Sequence, residues 1–175
     1  VHRSIIYWIF AICTAMGLFL LLIALADPTP NAGGLPHPAY PGMVIGGDGA
    51  ERLVDIGILA FLFQSLLLLL IVCLSILGIS ERRRSPKFMA YMVASFAFMM
   101  FIWWQMFSSH QQFLETGETG YFLGFPTATA WQVYGTWLCA IPLIILYSVG
   151  FRHFVFSEED EAKFQALLEE SRNPS

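Results

Sequence analysis

The sequence predicts an all-α integral membrane protein: a four-helix transmembrane bundle with both ends on the cytoplasmic side and a short amphipathic helix at its carboxyl end. Three observations lead there. Of 175 residues, 57% are hydrophobic and 13% charged, with a mean hydropathy of +0.63, which lies outside the range of soluble globular domains. Four apolar stretches each approach the ~20 residues needed to cross a hydrocarbon core of about 30 Å. Basic residues collect at alternate ends of these stretches. Arg3, Arg82, Arg83, Arg84, Lys87, Arg152, Lys163 and Arg172 fall on one side and Arg52 alone on the other, and retention of Lys and Arg makes the first side cytoplasmic.

The first span covers residues 5–26, with Tyr7 and Trp8 near its start, where aromatic rings favour the headgroup level. It stops at Asp27-Pro28-Thr29-Pro30, because proline cannot donate the helical hydrogen bond and biases the preceding residue away from helix. That ending is no small-residue cleavage site, so the segment reads as a span and not as a cleaved signal. The outer connection, 27–52, is too rich in Pro and Gly for regular helix. A loop of this length in a compact protein is functional or held by a neighbour. Leu35, Tyr40, Met43, Val44 and Ile45 are its expected partner contacts.

The second span, 53–78, organises the rest, because it has no charged residue from Ile56 to Ile79 and ends in Glu81-Arg82-Arg83-Arg84-Ser85-Pro86-Lys87. The third, 88–108, is rich in Phe and Met and closes on Trp103-Trp104-Gln105, which reads as an outer aromatic belt. Its Phe and Met side chains suggest a surface facing lipid or a partner. The second outer connection, 109–127, contains Gly117, Gly120, Gly124 and Pro126. The fourth span, 128–150, holds Pro142, where a kink is expected. Residues 1–156 thus form the membrane domain and 157–175 an acidic cytoplasmic tail. In that tail six acidic residues against Lys163 and Arg172 account for the whole net charge of −4. Ser157 is placed to cap a helix with an acidic first turn. Phe164, Leu167 and Leu168 form one apolar stripe, and an acidic polar face suits protein better than anionic lipid.

Composition limits the chemistry. No basic face offers itself to nucleic acid. Cys13, Cys73 and Cys139 all sit in apolar segments with no CxxC pair. No span interior carries an acidic or basic side chain, and no nucleophile with a base, phosphate loop or metal-spaced cluster is visible. The sequence therefore reads as that of a non-enzyme, with no cofactor of its own. His37 and His110 belong to the outer side and His2 and His153 to the inner, so no facing pair suits a buried haem. Gln64, Gln105 and Gln132, with Tyr134, Asp55 and His110, could meet in the outer half. One reading is contact with a quinone head or solute; the preferred one is hydrogen bonding between helices.

The run Gly124-Phe125-Pro126-Thr127-Ala128-Thr129-Ala130-Trp131, then Tyr134-Gly135-Thr136-Trp137 and Ser157-Glu158-Glu159-Asp160, is similar to small hydrophobic subunits that accompany bacterial sodium/solute symporters. The likeness covers the last third of the chain and carries over no functional residue. It implies an accessory subunit of a larger bacterial inner-membrane transporter assembly, bound to larger integral membrane subunits and lipid. The alternative is a subunit of a respiratory or photosynthetic electron-transfer complex that helps form a quinone or haem site through Gln64, Gln105, His110 and Gln132. A self-sufficient channel is disfavoured, because Leu66 to Leu70 and Ile141 to Ile145 leave the inner half apolar.

Overall fold

In the computed structural model, residues 2–27, 33–46, 53 and 55–172 are described. Arg52 and the side chains of His2 and Arg3 lie outside that description. The chain is mostly helical. Its helices are α1 (His2–Leu25), α2 (Gly57–Leu77), α3 (Pro86–Thr116), α4 (Thr127–Ser148) and α5 (Glu158–Arg172). The first four are long and apolar enough to cross a membrane. Between α1 and α2 a minimal antiparallel pair, β1 (Leu35–Pro36) with β2 (Val44–Ile45), closes part of the first connection. A second pair, β3 (Tyr121–Phe122) with β4 (Phe125–Pro126), precedes α4.

Each helix packs on the next in sequence, α1 on α2, α2 on α3 and α3 on α4. The α3 helix is central. Its buried residues Phe88, Met92, Ser95, Met99 and Ile102 alternate four- and three-residue steps, the seam along which one face of a helix meets its neighbours. The expectation that the Met residues of this helix face outward therefore fails for Met92 and Met99, which are core, while Met89, Phe98 and Phe101 remain exposed. The main core joins Met92, Met99 and Phe88 to Leu68, Val72, Ile76 and Ile79 from the α2 side and Leu146 from α4. In α1 Ile12 alone among the described residues is a buried hydrophobic. That helix covers one flank and leaves its outer face free.

Helix ends follow local chemistry. Ser85 caps α3 by accepting from the Phe88 N–H at 3.2 Å, with Pro86 at the first helical position, where its missing N–H is harmless. At the far end α3 runs to Thr116 and stops on Gly117 at φ +70°. This is two turns beyond the span expected at 88–108. Hydropathy fades at Ser108, but Gln111, Gln112, Phe113, Leu114 and Glu115 are compatible with helix, so the helix outlasts its apolar stretch. His110 consequently sits on α3, not in a loop.

In α4 the chain continues helically through Pro142, and the departure from regular α geometry falls earlier, on a π turn at Trp131–Gly135. Beside it α3 and α4 are in tight contact. A Cβ built on Gly135 would lie 2.6 Å from Ile102 Cγ2 and 3.3 Å from the Trp131 ring. Isoleucine is branched at Cβ and stiff about χ1, so its methyl cannot swing aside. Gly135→Val should therefore overpack this contact and cost about 1–3 kcal/mol, read as a lower thermal midpoint in detergent. Ile102→Ala in the same chain should recover part of the loss. An unchanged midpoint for Gly135→Val would show that the close approach contributes nothing to stability.

Candidate functional site

Toward the end of the bundle that carries the β3/β4 hairpin, α2, α3 and α4 hold two adjoining clefts. One, of about 290 Å³, lies among Leu53, Gly57, Ala60 and Phe61 on one wall and Trp103, Met106, Phe107 and His110 on the other, with Gln132 between them. The second, of about 410 Å³, runs deeper past Gln64, Leu68, Met99 and Ile102 to Trp131, Thr136 and Cys139. Trp103, Met106 and Gln132 line both. The structure thus brings Gln64, His110 and Gln132 of the predicted polar set to one place. Gln105 and Asp55 line neither cleft, and Tyr134 faces a separate apolar cleft with Phe122, Leu138 and Trp131.

Expected hydrogen bonding between helices through these amides is not what holds the bundle. Gln64, Gln105, His110 and Gln132 make no side-chain hydrogen bond among the described residues. Three other side chains cross between helices, each donating to a main-chain carbonyl. Trp103 Nε1–H reaches Phe61 O at 3.2 Å, Tyr91 Oη–H reaches Pro142 O at 2.6 Å, and Tyr147 Oη–H reaches Ser75 O at 2.7 Å. Trp103 therefore belongs to the interior and not to an outer belt. Its ring lies nearly parallel to Phe61, 11° between planes with centroids 5.6 Å apart, and Phe107 closes on Phe61 at 4.5 Å. Trp104 stays exposed.

The residues expected to meet partners are exposed. In the first connection the loop folds on itself: His37 Nδ1 accepts from the N–H of Ala39 at 3.0 Å and of Tyr40 at 3.2 Å. The His37 imidazole is thereby a turn organiser, and Leu35, Tyr40, Met43, Val44 and Ile45 point outward. In the second, Leu123 has φ +47° and Gly124 φ +86° at the tip of the β3/β4 hairpin. A tight two-residue turn with both central residues left-handed favours Asn-Gly, so a leucine there is costly. Phe164, Leu167 and Leu168 of α5 are likewise exposed.

At the opposite end, a polar latch holds the start of α5. The Ser157 N–H and hydroxyl donate to Asp160 Oδ2 at 3.1 and 3.0 Å, and the Asp160 N–H returns to Ser157 Oγ at 3.4 Å, a capping box with aspartate as its acid. Arg83 donates to Ser157 Oγ at 2.6 Å and pairs with Asp160. Next to it Arg84 Nε donates to Ile79 O at 2.9 Å, covering a carbonyl just beyond the end of α2. Arg152 pairs with Glu161 at 2.5 Å and Lys163 with Glu159 at 2.6 Å. Bonds from Ser157, then Arg83, hold the Asp160 carboxyl below its usual value, and Lys163 does the same for Glu159.

Against protein-family models, curated proteins and solved structures, the chain gives no match. The likeness of residues 124–137 and 157–160 to symporter-associated subunits rests on those residues alone.

A carboxyl whose folded pKa is depressed stabilises the fold above its unfolded pKa and loses that contribution as pH falls through the folded value. The latch should therefore be firm near neutrality and loosen in acid, below the ordinary aspartate pKa of about 3.9. Protection of the amides of 158–172, taken relative to their intrinsic exchange rate at each pH, should fall there. Asp160→Asn should flatten the pH dependence, and Arg83→Gln should raise exchange at pH 7 on the order of several-fold. Equal exchange in Arg83→Gln and the parent chain would show that α5 does not rely on the latch.

Proposed function

We propose that this chain is a non-catalytic accessory subunit of a larger bacterial inner-membrane complex, a transporter assembly of the sodium/solute-symporter type, with both termini cytoplasmic. The four long apolar helices support membrane embedding. The bias of Lys and Arg to the ends marked by Arg83 and Arg152 supports the orientation. The likeness of the Gly124-to-Trp137 run supports the choice of a transporter assembly.

Leu123 carries the reading. Lipid explains exposed apolar side chains along the four helices but not on a hairpin between two of them. At that hairpin tip Leu123 is 70% exposed, beside Tyr121 at 74%, and is held in a left-handed conformation. Such a conformation costs a non-glycine residue about 1–2 kcal/mol, which asparagine or glycine would avoid. A backbone cost borne by an exposed aliphatic side chain is accounted for if that side chain is buried against another polypeptide. On the other face, α5 presents Phe164, Leu167 and Leu168 from an acidic helix, which suits a protein groove better than an anionic bilayer.

Leu123→Asn separates the two roles of this residue. Relief of the turn should raise the thermal midpoint of the purified chain slightly, whereas association with the partner should fall. The measurement is native mass spectrometry of the full chain extracted from its own membranes in mild detergent, with crosslinking from Lys163. The expected particle contains a second, larger integral membrane polypeptide at fixed stoichiometry, and Leu123→Asn depletes it. A stable, monodisperse particle containing only this chain would overturn the reading.

A further inference from the structure

The outer clefts have a property that subunit packing does not explain. Gln64, His110 and Gln132 come from three helices and converge on them, yet none of these side chains has a hydrogen-bond partner among the described residues. Neighbouring polar groups are satisfied: Ser65 Oγ donates to Phe61 O at 2.8 Å, Thr136 Oγ1 to Gln132 O at 2.5 Å and Trp103 to Phe61 O. Gln64 is seven residues into α2, about 10 Å along the helix from its start. Water is scarce at such a depth in a bilayer, and a free amide there calls for a partner from outside the chain.

The lining states what that partner must be. No Asp, Glu, Lys or Arg lines either cleft among the described residues, so a neutral ligand is favoured. The amide groups and imidazole offer N–H donors from different directions, which suits a molecule with carbonyl acceptors on opposite edges. Trp103, backed by the Phe61 ring stacked on it at 11°, and Trp131 both line the deeper cleft, so an aromatic ring is favoured over a branched group. At about 290 and 410 Å³ the clefts are within the range that holds a ring-sized head. The π turn at Trp131–Gly135 adds a residue to the helix at this wall, a distortion often found where a helix meets a ligand.

We propose that the two clefts together bind the head of a quinone-class lipid. Its carbonyl oxygens accept from Gln64 and Gln132, His110 stands at the outer rim, and its apolar tail leaves between the helices. The proposal is one of binding, with no electron transfer assigned to this chain. It does not depend on the subunit reading, because all the groups belong to one polypeptide.

The test uses the full chain, with whatever co-purifies, in lipid nanodiscs. The probe is a dimethoxybenzoquinone with a decyl tail, which quenches indole fluorescence, and Trp103 and Trp131 report on it from the cleft walls. Quenching should saturate, and decylbenzene, which lacks the carbonyls, should not compete. Gln64→Leu and Gln132→Leu should each weaken binding about five- to tenfold, whereas Gln105→Leu, outside the clefts, should leave it unchanged. Quenching that rises linearly with probe and alike in every chain would mean partition into lipid and overturn the proposal. Equal competition by decylbenzene, or full affinity in both the Gln64 and Gln132 variants, would overturn it too. Should either variant fail to fold, saturation and competition on the parent chain still decide.

Discussion

The contact between Gly135 and Ile102 sets the geometry of the outer half. With no side chain on Gly135, α4 comes close enough to α3 for the Ile102 methyl to occupy the place of a Cβ. The π turn that ends at Gly135 shifts the residues before it relative to those after it. Trp131 and Gln132 therefore present to the α2 side a wall that an unbroken helix would aim differently. The opposite end has a π turn of its own at Phe151–Val155, directly after Gly150, where a Cβ would lie 2.9 Å from the Phe154 ring. There Leu146 packs with Phe88 and Met92 in the core, and the Phe88 and Phe154 rings meet at 5.4 Å. The clefts at the hairpin end are lined by Gln64, His110 and Gln132, whereas the one at the opposite end, of about 340 Å³ beside Phe88, Leu146 and Phe154, is apolar but for Lys87 and Tyr91.

Hydrogen bonds sort the polar side chains of the bundle into two groups. Hydrocarbon supplies no donors or acceptors, so polar side chains on membrane helices turn to the backbone. Ser65, Ser75 and Ser95 each donate to the carbonyl four residues back, and Tyr91, Tyr147 and Trp103 reach carbonyls on neighbouring helices. Bonds of this second kind fix the spacing of helices without an amide pair. The two glutamines and the histidine at the clefts stand outside that economy. For this reason they are better read as facing something than as holding the bundle.

How much of this was legible in the sequence depends on the range of the interaction. The four apolar helices, the basic turn at 82–87 and the Ser157 cap are local, and hydropathy and capping chemistry expose them. Hydropathy fades at Ser108 while helix propensity does not, so an apolar-span count stops short of the end of α3 at Thr116. A helix apolar all round does not advertise which face is buried, so sequence does not tell Met92 and Met99 from Met89. Trp103 and Trp104 are adjacent and chemically alike, so only the position of Phe61 tells which turns inward. Arg83 and Asp160 are far apart in the chain, and no local pattern pairs them. Convergence of Gln64, His110 and Gln132 was foreseeable from depth, but the exclusion of Gln105 depends on the rotation of α3.

The latch and the hairpin tip show how the two ends of the bundle differ in kind. Around Arg83 one guanidinium nitrogen, Ser157 and Asp160 bond to one another, while Arg83 Nη1 and Arg84 Nη1 are buried without a hydrogen-bond partner, and the arrangement fixes where α5 begins while leaving its apolar stripe free. A helix anchored at one end and uncovered along its length is oriented before it meets anything, which lowers the ordering cost of association. At Leu123 the logic is reversed. The side chain is displayed by a turn that the backbone would rather not make, and the hairpin is too short to have a core of its own. A surface prepared in these two ways, pre-oriented on one side and strained on the other, is what a subunit that completes a larger body would carry. A protein working alone would gain by replacing Leu123 with asparagine and the α5 stripe with polar residues.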